Sequence, residues 1–254
     1  MTDQIRRVVA LGASNLTRGL HTVVSTARTE WGPDVEVLGA LGHGRSYGAA
    51  SRNVVRTLPG ILESGLWQTL SSLPVARTRG LVTDIGNDII YGFSAGQILE
   101  WVEETVDRLQ EFTPDIVLTD LPLPSVRRLS EPTFLVFRSL LASRCRLSLA
   151  EIVDTAERVN EGLSCLASAR RLHFVPMRPE WYGADPIHIR PALWHHAWQH
   201  ILGFEGNGQP TPGAWPEGVG LYFLRPERQW LFGVECVSPQ AGVTLPRGGK
   251  VWLF

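Results

Sequence analysis

Hydrophobic residues in this chain gather in five short runs separated by longer amphipathic stretches. The runs are Arg7–Leu11, Val35–Ala40, Gly80–Thr83, Ile116–Leu121 and Leu172–Val175. Each is β-branched or continuous rather than alternating, the pattern of a strand buried on both faces of a parallel sheet. The stretches between them read as helices. Ile98, Val102, Val106 and Leu109 fall on one helical face, and Ser94 and Gln97 before them have the spacing of a capping box. Ile152, Ala156, Val159, Leu163 and Leu166 define a second buried face. A last helix starts near Pro191, suited to a first turn, and ends near Gly203, suited to a C-terminal cap. Strands alternating with helices predict a three-layer α/β/α domain around a five-stranded parallel sheet, spanning 1–204.

The pattern changes after that point. Gly206–Gly220 is rich in Gly and Pro and reads as a linker, and Leu221–Leu224, Trp230–Val237 and Lys250–Phe254 read as strands separated by turns. Residues 205–254 are thus expected to be a linker and a small β extension. Such a unit is marginal alone, so it is expected to pack on the main domain or across a homodimer, without supplying a catalytic group.

Composition narrows the possible roles. A length of 254 residues suits one domain with a small addition, and a hydrophobic fraction of 44% supplies a large core. The net charge of −1 offers no basic face for nucleic acid or an acidic membrane. The first residues lead almost directly into a strand and lack the long apolar run of a secretory leader. No apolar stretch approaches the roughly 20 residues of a membrane span. Cys145, Cys165 and Cys236 are widely spaced and form no metal or redox motif. Together these features predict a soluble, cytoplasmic protein.

The distinctive polar residues lie where the runs end. Ser14 and Asn15 follow the first run, Gly42 and Gly44 the second, Gly86-Asn87-Asp88 the third, and Asp185 and His188 the fifth. In a parallel sheet these are all carboxyl ends, so the four blocks meet on the rim where open α/β sheets place ligands. With strand order 2-1-3-4-5, Ser14 and Asn87 flank the switch point.

This constellation resembles the SGNH (GDSL-like) hydrolases over about residues 5–204. Gly12-Ala13-Ser14-Asn15 resembles the family's Gly-Asp-Ser block, with Ala13 in place of the usual Asp; Gly44 matches the second block, Gly86-Asn87-Asp88 the third, and Asp185-Pro186-Ile187-His188 the last. The resemblance implies a serine hydrolase acting on a small-molecule carboxylic ester, with no metal or organic cofactor. Ser14, Asp185 and His188 would be its catalytic residues, and the Ser14 backbone, Gly44 and Asn87 its oxyanion hole. The residue types suit that chemistry. A serine hydroxyl needs a base, His188 can be one, and Asp185 can fix its tautomer. Asn87 offers amide N–H groups without a charge, and Gly44 can bring a backbone N–H close because no side chain intervenes.

Further candidates are weighed against plainer roles. Arg45 and Tyr47 follow the oxyanion glycine and are candidates to line the substrate pocket; Trp181 and Tyr182, just before the last block, are candidates to wall it. Asp84 and Asp88 bracket the third block and can hold that loop through backbone hydrogen bonds. His196 and His200 are four apart and could share a metal, but no carboxylate or cysteine pattern accompanies them, so no metal site is expected. Two rival functions remain. An anion- or nucleotide-binding module of flavodoxin-like fold would use the start of the first helix but gives Asp185 and His188 nothing to do. A non-catalytic binding module would have no need of a complete triad.

Overall fold

The computed structural model describes residues 5–53, 55–141, 145–204, 220–246 and 248–254. From the N-terminus the elements are β1 (Arg6–Leu11), α1 (Ser14–Trp31), β2 (Glu36–Ala40), β3 (Ser51–Asn53), β4 (Arg56–Leu58), α2 (Leu66–Ser72) and β5 (Arg77–Val82). Then come α3 (Asn87–Ile90), α4 (Ala95–Gln110), β6 (Ile116–Thr119), α5 (Leu123–Val126), α6 (Glu131–Leu141), α7 (Leu149–Arg170) and β7 (His173–Val175). The chain closes with α8 (Trp194–Ile201), β8 (Arg228–Leu231), β9 (Val234–Val237), β10 (Val243–Thr244) and β11 (Lys250–Leu253).

The five expected strands are β1, β2, β5, β6 and β7. They lie side by side in the order β2-β1-β5-β6-β7, all parallel. The sheet is wider than expected, with seven strands, because β11 pairs parallel to β2 and β10 pairs antiparallel to β11 at the edge. The sequence of β11 suits that place. Val251 and Leu253 join the core on one face of the sheet, Trp252 and Phe254 the core on the other, as side chains alternate along a strand. The first core is closed by α1 and α8, the second by α2, α4 and α7. Helices α1 and α8 meet closely: a Cβ on Gly19 would lie 2.0 Å from the Trp198 indole nitrogen, so only glycine fits.

A second, antiparallel sheet of four strands, in the order β3-β4-β8-β9, joins the loop after β2 to the C-terminal segment. The expected strand Trp230–Val237 is in fact a hairpin. Phe232 (φ 52°) and Gly233 (φ 83°) form its two-residue turn, both left-handed as a type I′ turn requires. Leu221–Leu224, expected as a strand, begins in a helical turn over residues 220–222 instead. The expected linker lies outside the described residues, apart from Gly220.

Helix faces follow the hydrophobic spacing. Ile98, Val102, Val106 and Leu109 are buried on α4, whose first turn is capped by the Ser94 hydroxyl accepting the Gln97 N–H. The full capping box occurs on α7, where Ser148 and Glu151 satisfy each other's backbone N–H groups.

Candidate active site

Ser14 is the first residue of α1, immediately beyond β1. The capping position before it is Ala13, which has no side-chain acceptor for the free N–H groups of the first turn. Asp84 fills that gap from the end of β5. Its Oδ2 accepts the Ala13 N–H and the Leu16 N–H, each at 3.0 Å. The carboxylate therefore caps α1 from a distant part of the chain and places negative charge at the helix N-terminus, where it is favoured. Asp84 itself is left-handed (φ 59°), a conformation that Asp tolerates better than most residues.

Asn15 ties this junction to the loop after β7. Its amide donates to Asp84 Oδ1 at 2.9 Å and to the Ile187 carbonyl at 2.8 Å, and its own oxygen accepts the Ile189 N–H at 2.8 Å. One buried amide thus grips the backbone on both sides of His188. Through it the ends of β1, β5 and β7 are joined at one point.

His188 is buried and Asp185 partly exposed. Oδ1 of Asp185 accepts the Ile187 and His188 N–H groups, both at 3.2 Å, which folds the segment into a tight turn. Its Oδ2 lies 2.6 Å from His188 Nδ1, and His188 Nε2 lies 2.9 Å from Ser14 Oγ. Burial pushes the Asp185 carboxyl up, but the hydrogen bond and charge of His188 and the two backbone donors outweigh it, leaving the group below its ordinary value. An ionised Asp185 accepts from Nδ1–H, so Nε2 is the nitrogen left to accept the serine proton.

Beside Ser14 opens a cavity of about 140 Å³, with Asn87 at its rim and an apolar wall from Ile89, Leu121, Leu123, Phe134, Ile152 and Ala156. Gly44 is the third residue of a turn closed by the Arg45 N–H on the Gly42 carbonyl (3.1 Å), and its φ of 69° is the reason for glycine there. It is held by the Tyr91 hydroxyl, which donates to its carbonyl, rather than lying in the cavity wall.

Four expected pocket residues sit elsewhere. Arg45 is fully buried, and its guanidinium donates to the carbonyls of Leu41, Pro59 and Phe254, with its pKa pulled down to about 9 by burial. Tyr47 is also fully buried. Its hydroxyl accepts the Thr83 N–H at 3.0 Å and lies 2.7 Å from the Thr83 carbonyl, which locks β5 to the second block. Both are polar groups in the interior and so need internal partners, which removes them from substrate contact. Trp181 and Tyr182 pack into the core beside α8 and do not reach the cavity. Asp88 is buried and its carboxylate accepts the Tyr47 N–H at 3.1 Å, so its side chain holds the second block rather than its own loop. His200 faces Arg178 and Trp181. Among the described residues, no group of His, Cys, Asp and Glu could hold a metal and no helix is long and apolar enough to cross a membrane.

Sequence reasoning missed the wiring through Asp84 and Asn15, because most of their partners are backbone groups far away in the sequence, which leave no mark on residue type. The only local sign was Ala13, a helix start lacking its own acceptor.

No family model and no curated protein matches this sequence. Solved structures do share its fold. The native M. smegmatis aryl esterase superposes with a TM-score of 0.53 at 12% identity, over 78% of this chain and 97% of that one. The psychrotrophic esterase EstA from Pseudoalteromonas sp. gives 0.47 at 10% identity, over 78% and 97%. TesA gives 0.46 at 12% identity, over 78% and 96%. At 12% identity the likeness to the aryl esterase is one of fold alone, a central parallel sheet between helices.

Proposed function

We propose that this protein is a serine hydrolase that cleaves carboxylic esters through an acyl-serine intermediate. The observation that carries the reading is the hydrogen-bonded line from Ser14 Oγ to His188 Nε2 (2.9 Å) and from His188 Nδ1 to Asp185 (2.6 Å). In the first step His188 takes the hydroxyl proton as Ser14 Oγ bonds to the ester carbon. The C–O bond to the leaving group then breaks, and His188 Nε2–H passes the proton to the departing oxygen. Water, deprotonated by the same nitrogen, releases the acid and restores Ser14. Asp185 stays ionised and stabilises the transient imidazolium.

The negative charge that develops on the carbonyl oxygen is met by the Asn87 amide, the Gly44 N–H and the Ser14 N–H. Each such donor typically contributes about 3 kcal/mol to the barrier reduction. The apolar cavity beside Ser14 takes the acyl chain, which suits a hydrocarbon chain rather than a sugar. A panel of 4-nitrophenyl esters of rising chain length tests this, with Ser14→Ala as control. The reading expects turnover that rises from acetate to medium chains and vanishes in Ser14→Ala. Turnover unaffected by that substitution would overturn it.

A further inference from the structure

Resting on the ester-hydrolase reading, the positive charges near the Ser14 end of α1 that lie outside the cavity lining bear on the leaving group. Arg18 is four residues beyond Ser14 on α1, hence on the same helical face, and it is exposed. His43 is the second residue of the Gly42–Arg45 turn and is partly exposed. Arg56, on β4, lies against the same turn, its Nη2 3.7 Å from where a Cβ on Gly42 would stand. His43 lies within reach of the charges of both Arg18 and Arg56. Burial lowers the pKa of His43, and the nearby charges of Arg18, Arg56 and His188 lower it further against the pull of Asp84.

Among the described residues, none of the three side chains has a hydrogen bond or ion pair. Asp84, whose charge reaches His43, already spends both oxygens on Ala13, Asn15 and Leu16. None of the three lines the acyl cavity. Burial lowers the pKa of Arg56, Tyr222 opposes that shift, and no carboxylate pairs with it among the described residues; a partly buried guanidinium without a counter-charge is costly to hold. Guanidinium forks match phosphate and carboxylate geometry.

We propose that Arg18, His43 and Arg56 form a subsite for an anionic group, phosphate or carboxylate, on the alcohol or thiol portion of the substrate. The preferred substrates would then be esters or thioesters that join an apolar acyl chain to a negatively charged carrier.

The test compares hexanoyl esters that differ only in leaving-group charge. One pair is 4-nitrophenyl hexanoate and its carboxylated counterpart, 5-hexanoyloxy-2-nitrobenzoate; the other is 2-hydroxyethyl and 2-phosphoethyl hexanoate. In at least one pair, the kcat/KM ratio of anionic over neutral ester should fall about tenfold in Arg18→Gln/Arg56→Gln, and likewise in the unaltered protein as salt rises to screening levels. The pair with the larger fall identifies carboxylate or phosphate. Ratios that change neither with the substitutions nor with salt would overturn the subsite. Calorimetric binding of the phosphoethyl and hydroxyethyl esters to Ser14→Ala needs no turnover. Tighter binding of the anionic ester there, weakened by salt, would uphold the subsite even if the unaltered protein hydrolysed no ester, and equal binding of the two would count against it.

Discussion

Ser14, Asn15 and Asp84 show how single side chains build the site. Asp84 offers two carboxylate oxygens to three donors, so Asp84→Asn would turn one acceptor into an NH₂ facing N–H groups already in place. We expect a loss of roughly 1–3 kcal/mol of stability in urea unfolding. A drop in kcat larger than any change in KM should accompany it, because α1 and the His188 loop lose their common anchor. Under the proposed mechanism Asn87→Ala is expected to lower kcat about 100-fold with little effect on KM, since an oxyanion donor matters mainly in the transition state; an effect confined to KM would make Asn87 a substrate contact instead. Asp88 carries a different consequence. Burial raises its carboxyl to about 6, against the hydrogen bonds from Ser46 and Tyr47 that favour the charged form. Between about pH 4 and 6 the folded protein holds a proton that the unfolded chain has released, so stability falls as pH rises through this window. The cost at pH 7 is on the order of 3 kcal/mol. Asp88→Asn should lack this share of the slope in urea titrations at pH 5 and 7.5, while Asp120, also raised to about 6 by burial, keeps its own.

At the scale of elements, the strands could be read from the chain because burial on both faces demands unbroken apolar runs, as in Val8–Leu11 and Ile116–Leu118. The four polar blocks could be read because parallel strands bring their carboxyl ends to one rim. The placement of β11 could not be read. Val251-Trp252-Leu253 suits any strand with both faces buried, and nothing local says that it lies against β2. Arg45 and Tyr47 misled for a similar reason: polar side chains beside a candidate oxyanion residue look like substrate contacts until distant carbonyls such as that of Phe254 supply their partners. Helix α7 gives the site its depth, with Ile152 and Ala156 in the cavity wall. Ala156→Phe should fill that space and lower kcat/KM for octanoyl relative to acetyl esters by about tenfold, within the range set by losing a few buried methylenes. An unchanged chain-length profile would place the acyl group elsewhere.

For the whole molecule, the C-terminal segment takes part in both sheets. β11 covers the edge of β2, Phe254 meets Arg45 beneath the second block, and β8 and β9 extend the small sheet begun by β3 and β4. Four buried apolar residues, Val251 to Phe254, would each contribute roughly 1.5–3 kcal/mol by burial. Removing 250–254 should therefore lower Tm by more than about 10 °C or make the protein insoluble; an unchanged Tm would show that the edge strand is dispensable. The central claim concerns one atom, Ser14 Oγ, held between His188 and the apolar cavity. Its most direct test is reaction with a fluorophosphonate followed by mass spectrometry of the digested protein. The account predicts a single adduct on the peptide containing Ser14, absent from Ser14→Ala and strongly slowed in His188→Ala. A folded protein that stays unlabelled, or that carries the adduct on another serine, would contradict it.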